Sequence, residues 1–160
     1  MTDTAISKLT VEPELALEFL AAFSRLEYAL KVTQFRKTGE GEAKADWSKF
    51  SLEVSRLFDP NKSEALSNAF AYTTTEPLRF LGVKNGVLDW YDFSVPQNCH
   101  PVDKAIRIIK QVRNNLFHGG KYAKDNKAAV GRDSKLLKSA LLVLNELRQV
   151  IPDVQSVYDY

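Results

Sequence analysis

The sequence predicts an all-α protein, a helical bundle of about five helices with a small β-hairpin inserted around residues 78–93. Two observations predict this fold class. Apolar residues recur every three or four positions over long stretches, which places each set on one stripe of a helix. Asn85-Gly86 stands between two apolar runs, a pattern typical of a type I′ hairpin. The chain of 160 residues has 44% hydrophobic residues, and we assign residues 1–160 to a single domain.

The first helix is predicted from about Glu14 to about Arg36, because one apolar stripe runs through this stretch at helical spacing. Pro13 suits its first turn, and a polar linker with two glycines at positions 38–41 would end it. The stripe consists of Leu15, Phe19, Phe23, Leu26 and Leu30.

Two shorter helices are expected next. Asp46 can cap the second helix with its carboxylate, and Asp59-Pro60 would end that helix. The third helix begins at Asn61 or Ser63. The apolar sides of these helices are formed by Trp47, Phe50, Val54 and Leu57 in the second and by Leu66 and Phe70 in the third.

The hairpin separates these helices from the fourth. Its strands are predicted at residues 78–83 and 87–93. Pro101 then opens the fourth helix, and Gly119-Gly120 would close it where a left-handed cap belongs. The apolar stripe of this helix is Ala105, Ile109, Val112 and Leu116.

A basic loop and a last helix complete the predicted order. The loop is expected from Lys121 to Arg132, and the helix from Asp133 or Ser134 until Pro152 stops it. The apolar stripe of the last helix is Leu137, Leu141, Leu144, Leu147 and Ile151.

Composition argues against several classes of protein. Cys99 is the single cysteine, so no internal disulfide is possible, and with two histidines it cannot build a structural zinc site. The adjacent His100 is interpreted as preceding a helix start. No apolar run approaches the roughly 18 residues that span a bilayer, and no leader pattern is visible. We therefore expect a cytoplasmic protein with no membrane partner, no metal and no cofactor.

Positive charge is concentrated in one part of a chain whose net charge is only +2. Residues 104–138, called the basic segment below, contain ten basic and two acidic residues. Their net charge is therefore +8, and the rest of the chain carries −6. A polyanion would meet the protein through the basic segment, although a solvated lysine-rich surface without a partner is the alternative.

A motif with recognisable chemistry stands at the end of the predicted fourth helix. Residues 113–120 read Arg-Asn-Asn-Leu-Phe-His-Gly-Gly. The pattern Arg-Asn-x-x-x-His, formed by Arg113, Asn114 and His118, resembles the signature of the HEPN family, helical domains that include many metal-independent ribonucleases. Residues 23–31, Phe-Ser-Arg-Leu-Glu-Tyr-Ala-Leu-Lys, also resemble the first helix of some small prokaryotic HEPN proteins. The resemblance extends over nearly the whole chain, and its diagnostic part is the six-residue motif.

The resemblance implies a metal-independent endoribonuclease that cleaves RNA to a 2′,3′-cyclic phosphate, either a toxin or an effector of phage defence or stress. Arg113, Asn114 and His118 would be its catalytic residues. The resemblance also implies a homodimer. Any antitoxin or nucleotidyltransferase partner would be a separate chain, because this sequence contains no nucleotidyltransferase motif.

Cleavage of RNA without a metal requires three tasks, and a small number of residues can perform them. The 2′-hydroxyl loses a proton as it attacks phosphorus, negative charge grows on the non-bridging oxygens, and the leaving 5′-oxygen gains a proton. An imidazole exchanges protons near neutral pH, so His118 suits either proton transfer. Arg113 can hold the phosphate with two nitrogens, and Asn114 can orient His118 or the phosphate.

Helical geometry separates Arg113 from His118. At 100° per residue, Asn114 and His118 lie about 40° apart, whereas Arg113 and His118 differ by about 140°. Either the arginine reaches around the helix end, or two copies of the helix meet about a two-fold axis and form one shared cleft. The family resemblance implies the second arrangement, because HEPN ribonucleases typically work as dimers.

Glu27 is expected to support this site. It falls between the apolar stripe of the first helix and Leu20, so its carboxylate is predicted to be partly buried and in need of a partner. An ion pair with Arg113 would orient the arginine, and a surface pair with Lys31 is the alternative.

RNA-binding side chains are expected around the motif. Lysines of the basic segment would contact phosphates, and an aromatic ring beside them can stack on a base or pack against the helix end. The expected RNA-binding residues are Lys110, Lys121, Tyr122, Lys124 and Lys127.

Two other functions fit the same residues. A non-catalytic module of the HEPN fold would bind RNA, a nucleotide or a partner protein, and an all-α scaffold dimer would show no salt-sensitive RNA binding. A further alternative is that the motif is purely structural. Arg113 would pair with a carboxylate on another helix, and His118 would meet the negative end of the helix dipole.

Overall fold

The computed structural model describes residues 4–118 and 127–160. In these residues, six α-helices and one two-stranded antiparallel sheet follow a short 3-10 helix, which confirms the predicted helical bundle with a β-hairpin. The elements are α1 (Pro13–Val32), α2 (Trp47–Leu57), α3 (Glu64–Thr75), β1 (Arg79–Lys84), β2 (Val87–Asp92), α4 (Pro101–Phe117), α5 (Lys127–Leu147) and α6 (Pro152–Asp159).

Side-chain caps set the starts of α2 and α3. The Asp46 carboxylate accepts a hydrogen bond from the backbone N–H of Lys49 at 3.0 Å. The Ser63 hydroxyl accepts one from the backbone N–H of Leu66 at 3.1 Å. Each cap satisfies a backbone donor that the first helical turn leaves free, so both helices begin at the next residue.

The hairpin forms with the predicted turn. Asn85 and Gly86 have φ values of 51° and 76°, the positive angles that a type I′ turn requires at both central positions. The strands pair in a register that sets Arg79 opposite Asp92. Leu78, just before β1, is buried and anchors the base of the hairpin to the bundle.

The first helix ends at Val32, before the predicted end near Arg36. Thr33 takes an extended backbone, and the chain turns so that Phe35 enters the core. The Phe35 ring is 1% exposed and lies edge-on to Phe50, with 5.3 Å between the ring centroids. Burial of a phenylalanine is worth about 1.5–3 kcal/mol, which outweighs a further exposed turn of helix.

The predicted loop up to Arg132 and the predicted helix start at Asp133 or Ser134 are wrong, because α5 already begins at Lys127. Residues 121–126 of that loop lie outside the described residues. Two long-range contacts hold the early turns of α5. Arg132 Nε donates to Glu76 Oε1 at 2.5 Å, and the Thr10 hydroxyl donates to the buried Asp133 carboxylate at 2.7 Å.

Pro152 begins a further helix instead of only ending the last one. α5 ends at Leu147, so Ile151 lies outside it, as the extended residue that precedes α6. Proline suits the first helical position, because its missing N–H would have no partner there. The described residues therefore contain one more α-helix than the five predicted. The buried side chain of Val154 holds α6 against the core.

The core lies between α1 and the helices around it. α1 packs against α5 and α6, α2 packs against α4, and α3 packs against both α4 and α5. The predicted stripes of α1 and α4 are buried, except that Leu15 is half-buried. Within residues 4–118 and 127–160, no helix is long and apolar enough to cross a membrane.

Candidate functional site

The motif occupies the end of α4, where one face of the helix is buried and the other is open. Val112 and Leu116 lie in the core, so packing fixes the backbone of the motif. Arg113 is half-buried, whereas Asn114 and His118 are exposed. The three residues predicted to be catalytic are thus accessible to a ligand.

The Arg113 guanidinium lies between two aromatic rings. Its central carbon is 5.6 Å from the centroid of the Phe23 ring and 5.3 Å from that of Phe117. Arg113 Nη1 also donates to Asn114 Oδ1 at 3.1 Å. Because Phe117 lies one turn further along α4, Arg113 extends toward the helix end within a single chain.

His118 also contacts the Phe117 ring. Its backbone N–H donates to the Asn114 carbonyl at 2.9 Å and closes α4. Its imidazole is edge-on to the Phe117 ring, with 5.4 Å between centroids and 79° between planes. Phe117 is 63% exposed, so it presents a ring to solvent beside both polar groups. We call Arg113, Asn114, Phe117 and His118 the α4 tip.

Phe117 is a functional candidate that the sequence reasoning missed. The available signal was its position four residues after Arg113 and directly before His118. Residues four positions apart lie on the same face of a helix, so this spacing predicts that the Phe117 ring lies near the Arg113 side chain.

Glu27 is half-buried on α1, as expected, but among the described residues no ion pair joins it to Arg113 or to Lys31. Phe23, one turn earlier on α1, takes the place against Arg113. The negative charge of Glu27 acts instead on Lys110, where it partly opposes the lowering of the Lys110 pKa by burial.

Lys110 lies beside the α4 tip in a partly apolar setting. Its Nζ is 5.6 Å from the centroid of the Trp47 ring, and Trp47 stacks on Phe23 with 5.2 Å between centroids. Burial lowers the pKa of Lys110, and the positive charge of Arg107 lowers it further. Lys110 and Arg113 thus flank one aromatic pair, on the same side of α4.

The other expected RNA-binding residues are only partly placed. Lys121, Tyr122 and Lys124, together with the Gly119-Gly120 cap, lie outside the described residues. Lys127 is the first residue of α5. In the rest of the basic segment, two arginines are paired with carboxylates, Arg107 with Asp103 at 2.8 Å and Arg132 with Glu76 at 2.5 Å.

Cys99 and His100 have structural roles. The Cys99 thiol donates to Asp103 Oδ2 at 2.8 Å, and burial together with this bond raises the thiol pKa, which disfavours a nucleophilic thiolate. His100 is the N-cap of α4, and its Nδ1 accepts from the Val102 N–H. In the part of the chain that the structure describes, no three His, Cys, Asp or Glu side chains are grouped to hold a metal ion.

Asn115 joins the motif to the hairpin and was not singled out by the sequence reasoning. It is 7% exposed, although its neighbour Asn114 is exposed. Its Nδ2 donates to the Arg79 carbonyl at 2.7 Å, and its Oδ1 accepts from Gln111 Nε2 at 2.8 Å. Asn115 therefore fixes the start of β1 against α4.

Replacing Asn115 with alanine is expected to lower the free energy of unfolding by about 1–3 kcal/mol, because the Arg79 carbonyl loses its partner in a partly buried setting. The melting temperature should fall by roughly 2–4 °C for each kcal/mol. Asn114→Ala is the matched control and should leave the melting temperature nearly unchanged. Equal melting temperatures for the two variants would contradict this role of Asn115.

Several side chains of the motif are thus brought together at one exposed helix end, whereas among the described residues no ion pair joins Glu27 to Arg113. Comparison of the chain with protein-family models, with curated proteins and with solved structures found no match, so a function must be argued from these side chains themselves.

Proposed function

We propose that this chain is a metal-independent endoribonuclease of HEPN type, which cleaves RNA to a 2′,3′-cyclic phosphate. The observation that supports this most directly is the α4 tip. A guanidinium and an imidazole lie against one exposed ring at the open end of a helix whose other face is buried. These are the two side-chain types that phosphate binding and proton transfer require.

Arg113 is the phosphate-binding residue in this proposal. Among the described residues, no carboxylate forms an ion pair with it, and its hydrogen bond to Asn114 uses one of its five N–H donors. The remaining donors can bind two phosphate oxygens and stabilise the charge that grows on them. The rings of Phe23 and Phe117, whose centroids lie 5.6 and 5.3 Å from the guanidinium carbon, hold the guanidinium in place.

His118 carries out the proton transfers. Because it is exposed at the end of α4, it can approach the 2′-hydroxyl or the leaving 5′-oxygen of a bound strand. Phe117 stacks on a base next to the scissile phosphate, since every base offers a flat face to an exposed ring. Asn114 orients the guanidinium through its side-chain oxygen.

The biological role that we propose is that of a toxin or an effector of phage defence or stress, acting as a homodimer on cytoplasmic RNA. Lys110 and the lysines predicted at 121, 124 and 127 would bind the phosphates of the strand on either side of the cut. A separate antitoxin or nucleotidyltransferase chain is the partner that would restrain such an enzyme.

A non-catalytic module that binds RNA or a nucleotide is the second candidate. The Phe117 ring favours it, because the guanidinium and the imidazole both contact this exposed ring. An exposed ring flanked by an arginine can bind a base and its phosphate without any bond being broken.

The product of the reaction tests the proposal. Wild-type protein incubated with a mixed RNA panel in EDTA should produce fragments that end in a 2′,3′-cyclic phosphate, because Arg113 and His118 perform all three tasks of the reaction. The ends are identified by mass spectrometry. Cleavage that stops in EDTA and returns with Mg²⁺ would contradict this mechanism. Binding of RNA with no cleavage over the whole panel would favour the non-catalytic module.

A further inference from the structure

A second stripe of α1 faces away from the core and has no partner in the described residues. It contains two large side chains, Leu17 and Tyr28, which are 70% and 61% exposed. The small residues Ala21 and Ser24 lie between them and are exposed as well. The intervals alternate between four and three residues, as they do in the seven-residue repeat of helices that pair as coiled coils.

We propose that this stripe is a homodimer interface, in which α1 pairs with α1 of a second copy in antiparallel orientation about a two-fold axis. The proposal rests on the homodimer of the proposed function and names a surface for it on α1, which is separate from the contact between two copies of the fourth helix that the family resemblance implies. The two-fold axis would pass at the level of residues 22 and 23. Leu17 would then lie opposite Tyr28 of the second copy, and Ala21 opposite Ser24.

The distribution of size along the stripe fits this register. Small residues at the centre let the two helices approach closely, and each large side chain packs beside one from the other copy at the ends. An isologous contact of this kind uses the same patch on both subunits, so every contact occurs twice.

Charge identifies a second copy as the occupant of the stripe. Glu14 and Glu18 lie at the N-terminal end of α1, whereas Arg25 and Lys31 lie in its C-terminal half. The antiparallel register sets Glu14 opposite Lys31 of the second copy and places Glu18 beside Arg25. A parallel pair would instead bring like charges together at both ends, which destabilises the contact.

The surface next to the stripe has room for the second helix. An open groove of about 640 Å³ lies between α1 and α6, and Tyr28, Val32, Val157 and Tyr160 line it. In the antiparallel register, the N-terminal half of the other α1, with its Leu17, runs along this groove. Arg25 stands at the edge of the groove, where it is held by hydrogen bonds to the Tyr158 carbonyl.

The register has a consequence for the α4 tip. Phe23 lies at the level of the proposed axis, and the Arg113 guanidinium lies over its ring. The two-fold axis that relates two antiparallel helices is perpendicular to both helix axes. It therefore places the same side of each subunit on the same face of the dimer. Both copies of Arg113 would therefore open on one face, where a single RNA strand can contact them.

Charge reversal tests the interface, with sedimentation velocity over a range of concentrations as the measurement. Wild-type protein should be a dimer in low salt. Glu14→Lys and Lys31→Glu should each weaken dimerisation about tenfold or more, because each creates two like-charge contacts. The double variant Glu14→Lys with Lys31→Glu should recover dimerisation to within about threefold of wild type, since the charges then complement each other in the reverse sense. Glu53→Lys, an exposed charge reversal on α2, is the control and should change nothing.

Three outcomes would overturn the interface: a wild-type monomer at all concentrations, single variants that dimerise like wild type, or a double variant no better than either single one. The measurement contains no RNA. A failure of the interface is therefore distinguishable from a failure of the RNA-cleaving function, which the cyclic-phosphate product tests separately.

Discussion

Replacing His118 with alanine is expected to reduce RNA cleavage by about 10²- to 10⁴-fold, because the imidazole is the group assigned to proton transfer and general acid–base catalysis contributes that much. The melting temperature should stay close to that of wild type. His118 is exposed, and the backbone hydrogen bond that ends α4 does not depend on its side chain. Initial rates on one RNA and thermal unfolding of the same preparation measure both effects.

The other histidine of the chain provides the matched control. His100 caps α4 through its Nδ1, so His100→Ala should lower the free energy of unfolding by about 1 kcal/mol and leave the cleavage rate unchanged. The two variants thus predict opposite patterns of activity and stability. Full activity in His118→Ala would show that the protons are transferred by another group.

The parts of the fold that could be predicted from the sequence have local causes. Asp46 and Ser63 cap helices through backbone donors three residues away, and Asn85-Gly86 makes its turn with its own dihedral angles. Each of these signals lies within a few residues of the structure that it determines, so no knowledge of the rest of the chain is needed.

The parts that could not be predicted depend on distant partners. α1 ends at Val32 because Phe35 packs against Phe50, which follows in a different helix. α5 starts early in a stretch that its charge marks as a loop, where Arg132 reaches Glu76 and Asp133 receives the Thr10 hydroxyl. A count of basic residues carries no information about such pairs, since it leaves out where their partners lie.

The candidate site divides in the same way. Arg113 and His118 could be identified from their spacing within one helix. Glu27 forms no ion pair with Arg113 in the described residues, because Phe23 lies against the guanidinium, and that depends on how α1 and α4 are aligned. Helix faces are therefore predictable here, whereas the contacts between them are not.

Replacing Arg113 is expected to have the second large effect on activity. Arg113→Ala should lower the cleavage rate by about 10²- to 10³-fold, the usual loss when a donor to a developing anion is removed. Arg113→Lys should recover little of this rate. A lysine keeps the positive charge, but it cannot offer two nitrogens to the phosphate, and it lacks the planar guanidinium that contacts the rings of Phe23 and Phe117.

The lysine variant separates catalysis from simple attraction of RNA. If Arg113 acts only through its charge, Arg113→Lys should cleave at nearly the wild-type rate, and that result would contradict the bidentate role. Arg107→Lys, on the same helix, is the control, because the Arg107 side chain is paired with Asp103. It should leave the cleavage rate within about twofold of wild type, as expected for a charge-conserving change in an exposed ion pair worth at most about 1 kcal/mol. Loss of activity in Arg113→Lys together with retained activity in Arg107→Lys would establish that the planar guanidinium at the α4 tip, and not the positive charge of α4 as a whole, stabilises the transition state.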